Sequence, residues 1–155
     1  MSARDEGARL GPNGQPGLAD KKGKTGGRRR LVLCIEDEPD IRKLLAISLN
    51  YRGSYKVVTA ENGAVGLEEA KKSKFDCILL DALMPVMDGY ETCKRLKADP
   101  QTRDVPVIFL AAKTQQKEIE KGMALGAVDY LLKPFDPLTL PDQIEEILAQ
   151  LGRDS

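Results

Sequence analysis

Three acidic residues and one lysine follow short apolar runs of the kind that form buried strands. Glu36 and Asp37 come directly after the first run, Asp81 follows Phe75–Leu80, and Lys133 follows the last run. In open α/β proteins the carboxyl ends of the strands share one edge, where ligands bind. We therefore expect these four side chains to meet. Carboxylate oxygens with open positions for water favour Mg²⁺ over zinc.

Asp81 holds the central position among these charges, with the acidic pair on one side and the lysine on the other. A carboxylate can attack a phosphoryl group and form an acyl phosphate, so we assign Asp81 as the phosphoacceptor. Glu36 and Asp37 are predicted to bind Mg²⁺ beside it, directly or through water. The backbone carbonyl of Leu83 is a further candidate ligand. Lys133 is predicted to hold a carboxylate or a phosphoryl oxygen.

Simpler structural roles stay open for several of these residues. The acidic run Glu36–Glu38 precedes a proline, so a helix cap supplied by one of the three carboxylates is an alternative to metal binding. Three acids exceed what a cap requires, and Glu38 is expected to stay in solvent. Lys133 alone is compatible with a surface turn. Backbone N–H groups near Ala82 and Ala112 are candidates for binding phosphoryl oxygens.

Composition narrows the class of protein. The chain of 155 residues is long enough for one domain with a core, and it contains no histidine, which excludes Ser-His-Asp catalysis and phosphohistidine chemistry within the chain. Residues 1–30 hold 8 basic and 3 acidic residues, a net charge of +5, and are predicted to be a disordered Gly-rich tail before a domain at 31–152. The three cysteines lack metal-ligand spacing, and Cys34 and Cys77, inside apolar runs, are expected to be buried thiols in a cytoplasmic setting. No apolar run reaches membrane-spanning length.

Apolar runs alternate with helical patterns from residue 31 onward. The ten predicted elements, strand and helix in turn, are Leu31–Ile35, Asp40–Asn50, Tyr55–Ala60, Asn62–Lys72, Phe75–Leu80, Tyr90–Ala98, Val105–Leu110, Gln115–Leu125, Val128–Leu132 and Leu138–Leu151. Ile47 and Val65 are expected on the inward faces of their helices. Five βα units predict an α/β, doubly wound, five-stranded parallel sheet, order 2-1-3-4-5, flavodoxin-like, with five helices on both faces.

The chain resembles the receiver domain of two-component response regulators, in its single-domain, chemotaxis-regulator form. The motifs that carry the resemblance are Ile-Glu-Asp-Glu-Pro-Asp-Ile (35–41), Leu-Leu-Asp-Ala-Leu-Met-Pro-Val-Met-Asp-Gly (79–89), Val-Pro-Val-Ile-Phe-Leu-Ala-Ala-Lys (105–113) and Tyr-Leu-Leu-Lys-Pro-Phe (130–135). It implies that Asp81 accepts a phosphoryl group from a partner histidine kinase or histidine phosphotransfer protein. It also implies that Glu36 and Asp37 bind Mg²⁺ and that Lys133 contacts the phosphoryl group.

Two positions bear on switching in such a family. After Leu110 the family usually has Thr or Ser, whose hydroxyl binds a phosphoryl oxygen, whereas this chain has Ala111. Tyr130 stands where the family has an aromatic residue that swings inward on activation. Alanine cannot make that hydrogen bond, which is worth roughly 1.5–3 kcal/mol when charge-assisted. The resemblance therefore implies phosphorylation with a weakened hydroxyl–aromatic switch, and the alternative is that Ala111 is tolerated in a protein that signals by other contacts.

Three functions follow from these patterns. The leading hypothesis is a stand-alone receiver, not an enzyme, without a DNA-binding domain, that signals by phosphorylation-dependent protein binding or phosphorelay. By analogy with the family, its downstream target docks on the fourth helix, fifth strand and fifth helix. The first alternative is a Mg²⁺-dependent phosphohydrolase with an aspartyl-phosphate intermediate, although Leu83 stands where such an enzyme would carry an acid. The second is a receiver that binds its partners constitutively because of Ala111.

Overall fold

A computed structural model of the chain describes residues 29–51, 55–112 and 116–152. Arg30–Leu151 form one compact unit. The predicted tail lies outside the described residues except for Arg29 and Arg30, as does Gln115, the predicted start of the fourth helix. Within the described ranges, no helix has the length and apolar character needed to cross a bilayer.

Five strands form one parallel sheet in the order β2-β1-β3-β4-β5, as the sequence predicted. The strands are β1 Arg30–Ile35, β2 Tyr55–Ala60, β3 Cys77–Asp81, β4 Val107–Ala112 and β5 Asp129–Lys133. Every residue of β3 is buried, because helices cover both faces of this central strand. The order makes β1 and β3 neighbours, and it places β4 between β3 and β5. The carboxyl ends of all five strands therefore lie at one edge.

Five helices alternate with the strands. They are α1 Pro39–Asn50, α2 Gly63–Lys72, α3 Gly89–Ala98, α4 Gln116–Ala124 and α5 Leu140–Gln150. Among the helix starts that the structure describes, side chains cap two: the Asn62 side-chain Oδ1 accepts from the Val65 N–H, and the Asp88 carboxylate accepts from the Glu91 N–H. Pro39 begins α1, where the missing N–H is not needed.

The core consists of two clusters, one on each face of the sheet. Alternate residues of each strand point to opposite faces, so Ile78 joins one cluster and Leu79 the other. The first cluster includes residues of α2, α3 and α4, such as Leu96. The second includes residues of α1 and α5, such as Leu45 and Ile144. This arrangement confirms the doubly wound fold.

Three local predictions were wrong. Arg30 belongs to the domain, because it begins β1 and is 6% exposed. Ile47 is exposed, since Ser48 takes the inward position beside Leu49 on α1. Val65 is also at the surface, because α2 approaches the sheet through Gly66 instead.

Candidate functional site

Lys133 joins two carboxylates at the carboxyl edge of the sheet. It is the last residue of β5, and Asp81 is the last residue of β3. The Lys133 ammonium donates to Asp81 Oδ1 over 3.1 Å and contacts Glu36 Oε1 at 3.0 Å. The Lys133–Pro134 peptide bond is cis. The two carboxylate contacts place the lysine inside the site and not at a solvated turn.

The three predicted acids meet at the same edge. Glu36 is fully buried, Asp81 is buried and Asp37 is half-buried, and one carboxylate oxygen from each lies within 4.8 Å of the others. With all groups ionised, three charges of −1 and one of +1 give the site a net charge of −2, which a divalent cation would neutralise. We call Glu36, Asp37, Asp81 and Lys133 the carboxylate site.

Crowding of like charges perturbs the acid–base properties of the carboxylate site. Burial and the neighbouring charge of Glu36 raise the pKa of Asp81 to about 7, even though Lys133 opposes the shift. Burial acts to lower the pKa of Lys133, but hydrogen bonds and charges from Glu36 and Asp81 outweigh it and raise that pKa. The raised pKa of Lys133 favours its charged form, and the raised pKa of Asp81 favours its protonated form below about pH 7.

Backbone hydrogen bonds hold the acidic run in place. The Glu36 N–H donates to the Ala60 carbonyl over 3.0 Å, and the Glu38 N–H donates to Glu36 Oε2 over 3.2 Å. Within the described residues, Glu38 stands at the N-cap of α1 but its exposed side chain makes no capping hydrogen bond. Glu38 is solvated as expected, and capping by its side chain does not account for the acidic run.

Arg42 is a residue of this region that the sequence analysis missed. Its guanidinium donates to the backbone carbonyls of Glu36 and Asp37 over 2.9 and 3.1 Å. From the sequence it looked like an ordinary basic residue on an amphipathic helix. The sequence feature that could have indicated this role is the position of Arg42, one to two helical turns after the acidic pair.

The loop after β3 closes against the site. The Leu83 N–H lies 3.4 Å from Asp81 Oδ1, and the Ala82 N–H donates to the Leu110 carbonyl over 3.0 Å. The Ala82 N–H is thus bonded to β4, whereas the adjacent Leu83 N–H faces the Asp81 carboxylate, and binding of a phosphoryl oxygen by N–H groups near Ala82 stays a prediction. At Gly89, an added Cβ would lie 2.2 Å from the Asp81 carbonyl oxygen, so only glycine permits this approach.

The two switch positions lie on one face of the sheet. Ala111 is within β4 and not after it, because the strand runs on to Ala112. Ala111 is buried, and Tyr130 packs partly buried against the same core cluster. The roles of Ala111, Tyr130, Ala112 and the Leu83 carbonyl stay predictions.

The donor chemistry of the site fits a hard divalent cation. Glu36, Asp37 and Asp81 offer only oxygen ligands, which Mg²⁺ prefers, and Asp37 is open enough to leave positions for water. The sulfur and imidazole ligands typical of zinc are absent from this group.

Comparisons with known proteins agree with this geometry. The family model of the response regulator receiver domain matches residues 32–145. The chain is 36% identical over 123 residues to the phosphate regulon transcriptional regulatory protein PhoB of Pseudomonas aeruginosa, covering 79% of this chain and 53% of that protein. It is 38% identical over 119 residues to the alkaline phosphatase synthesis transcriptional regulatory protein PhoP of Bacillus subtilis, covering 77% of this chain and 48% of that protein. The chain thus spans about half the length of the curated relatives it matches.

Solved structures show the same fold. The chemotaxis protein CheY4 of Vibrio cholerae superposes with a TM-score of 0.73 at 35% identity, covering 78% of this chain and all of that one. A putative response regulator from Chloroflexus aurantiacus gives a TM-score of 0.73 at 32% identity, covering 79% of this chain and 99% of that one. With the family model matching most of its length, the chain belongs to the response regulator receiver domain family.

Proposed function

We propose that Asp81 is the phosphoacceptor of this receiver domain and that its phosphorylation requires Mg²⁺. The observation that carries the proposal is the contact of one lysine with two carboxylates, within a group of three carboxylates whose oxygens lie within 4.8 Å. When ionised, these three carboxylates and one ammonium leave an excess of negative charge, which a divalent cation would neutralise.

The chemistry follows from the position of Asp81. One of its carboxylate oxygens forms a bond to the donor phosphorus while the bond from phosphorus to the donor nitrogen or oxygen breaks, and the electron pair leaves with the donor. The chain has no histidine, so a phosphohistidine donor must come from a partner. The Lys133 ammonium, 3.1 Å from Asp81 Oδ1, is positioned to hold a phosphoryl oxygen by charge.

Glu36, Asp37 and Asp81 are the residues that would hold Mg²⁺, with the Leu83 carbonyl as a further candidate ligand. A bound Mg²⁺ would offset the negative charge that develops on the transferring phosphoryl oxygens. Burial of Glu36 and Asp81 removes water that would otherwise screen the repulsion between their carboxylates. A bound cation would reduce that repulsion.

Signalling through a protein partner is the output we propose. A sensor histidine kinase or a histidine phosphotransfer protein is the donor, and the downstream target binds at α4, β5 and α5. Exposed apolar side chains on α4 and β5 and just before α5 support this surface, namely Met123, Leu132 and Leu138. The curated relatives extend beyond the matched region, so a stand-alone receiver without a DNA-binding domain stays a prediction, as does a cytoplasmic location.

The direct test is incubation with acetyl phosphate and Mg²⁺ followed by intact-mass measurement. The wild-type protein should gain one phosphoryl group, and Asp81→Asn should gain none. Asp88→Asn is the matched control, because it removes a carboxylate from the same loop yet keeps an oxygen that can cap α3. An unchanged mass in the wild-type protein, or equal labelling of Asp81→Asn, would contradict the proposal.

A weakened switch is a second candidate property, favoured by the buried methyl group of Ala111 where a hydroxyl would be needed. Beryllofluoride, which mimics a phosphoryl group, should bind with little change in the NMR signals of Tyr130. Ala111→Ser should enlarge that change, because it restores a donor worth roughly 1.5–3 kcal/mol when charge-assisted. Equal responses of both proteins would argue against a role for Ala111.

The hydrolase alternative predicts a different result. Leu83, which stands two residues after Asp81, is half exposed and has no acid to donate a proton to a leaving group. Turnover of generic phosphomonoesters well above one per phosphorylation would favour the hydrolase over the receiver.

A further inference from the structure

Arg42 fixes three successive carbonyl groups of the acidic run. Its backbone N–H donates to the Glu38 carbonyl over 3.0 Å, as the first turn of α1 requires. One nitrogen of its guanidinium, Nη1, donates to the carbonyls of Glu36 and Asp37. Carbonyl groups between a strand and a helix lack the regular hydrogen bonds of either element. Here a single side chain donates the hydrogen bonds to two of them.

These contacts determine where the acidic side chains can point. A carbonyl that faces Arg42 sets the orientation of its peptide plane, and therefore the direction of the Cβ on either side. The backbone N–H groups of the run make two further bonds, from Glu36 to the Ala60 carbonyl and from Glu38 to Glu36 Oε2, and the Glu36 side chain also contacts Lys133. Asp37 has neither of these, so its backbone is held at its carbonyl by Arg42.

We propose that Arg42 is a positioning residue for the divalent cation, acting through the backbone of Glu36 and Asp37 and not through its charge. This inference rests on the proposed Mg²⁺ site. It differs from the roles of the carboxylates and Lys133, because Arg42 bonds only to main-chain oxygens of the run. Outer groups that orient metal ligands typically contribute 10–100-fold to metal affinity.

The direction of the change in Mg²⁺ affinity distinguishes a positioning role of Arg42 from an effect of its charge. A guanidinium beside a cation site repels the cation, so removal of its charge alone would tighten Mg²⁺ binding. Removal of a positioning group would weaken binding. Arg42→Met keeps an apolar stem and loses both the charge and the donors. Lys43→Met is the matched control, because Lys43 is the exposed neighbour on α1 and its loss removes an equal charge.

The experiment is a calorimetric titration of Mg²⁺ into each metal-free protein. We expect Arg42→Met to weaken Mg²⁺ binding about 10-fold, Lys43→Met to leave it unchanged or slightly tighter, and Arg42→Lys to restore part of the loss. Equal or tighter binding by Arg42→Met would overturn the inference. A wild-type protein that binds no Mg²⁺ would instead overturn the proposed function, and the inference with it.

A second measurement needs no metal. Hydrogen exchange of the backbone amides in residues 36–38 should be at least several-fold faster in Arg42→Met than in Lys43→Met, with the amides of β3 unchanged in both. Equal exchange in residues 36–38 would overturn the inference even if metal affinities differed. Should Arg42→Met not fold, the same comparison with Arg42→Lys decides, because the shorter side chain retains the charge and weakens the two bonds.

Discussion

The two edges of the sheet differ in how their buried charges are paired. At the amino edge, Arg30 begins β1 and pairs with Glu145 of α5 at 3.1 Å, while the Tyr55 hydroxyl donates to Glu145 over 3.0 Å. We call these three residues the Arg30 network. Within this network, one cation meets one anion. At the carboxyl edge, one lysine meets three carboxylates.

The difference supports our proposal that the carboxylate site is functional, and it indicates a structural role for the Arg30 network. The positive and negative charges of the Arg30 network balance each other, so the network needs no ion from solution to neutralise it. The carboxylate site is unbalanced, and the raised pKa of Asp81 records the cost. The folded protein keeps this electrostatic repulsion at the edge of the sheet where ligands bind in open α/β proteins.

The largest expected contrast is in stability, because neutral substitutions should act in opposite directions at the two edges. The pKa of Asp81 is raised from 3.8 to about 7 in the folded protein, so its contribution to stability is lost as the pH rises through 7. Above that pH, without metal, Asp81→Asn should be more stable than wild type by up to ~4 kcal/mol, because the rise from 3.8 to about 7 corresponds to about 1.4 kcal/mol per pKa unit. Urea unfolding in a chelator at pH 5 and pH 8 measures this. A gain that is equal at both pH values would contradict the electrostatic cause.

At the amino edge the same kind of change should destabilise. Glu145→Gln leaves the buried Arg30 without its counter-charge, and we expect a loss of ~1–2 kcal/mol, reduced because Glu145 itself is half exposed. The loss should be the same at pH 6 and pH 8 in urea unfolding. Glu146→Gln, on the exposed neighbouring position, should change stability by less than about 0.5 kcal/mol. If Glu145→Gln stabilised the protein, it would contradict our conclusion that the two edges respond in opposite directions to loss of a carboxylate charge.

A smaller effect concerns the pH dependence of metal binding. Because Asp81 holds a proton below about pH 7, Mg²⁺ must displace that proton to bind. The affinity should fall about 10-fold from pH 8 to pH 6. Calorimetry in buffers of different ionisation enthalpy should show a proton released on binding near pH 7. No proton release at that pH would show that Asp81 is not a ligand.

The fold and the edge that carries the site followed from local patterns in the sequence. Strand ends are marked by the change from apolar to charged residues, and parallel topology brings those ends together, which is how Asp81 and Lys133 were placed. Arg30 was assigned to the tail because its burial depends on Glu145, a partner 115 residues away. Arg42 was missed because its bonds go to backbone carbonyls, which no side-chain pattern reveals. Ile47 was misplaced because periodicity does not show that Ser48 bonds to the Pro137 carbonyl.

Location of the phosphoryl group on the chain tests the central claim most directly. The protein would be incubated with acetyl phosphate, with and without Mg²⁺, then reduced with borohydride, which converts an aspartyl phosphate to homoserine, and mapped by peptide mass spectrometry. Our account predicts homoserine at position 81, only when Mg²⁺ is present. Modification at another carboxylate, or labelling of Asp81 that is equal in a chelator, would contradict it.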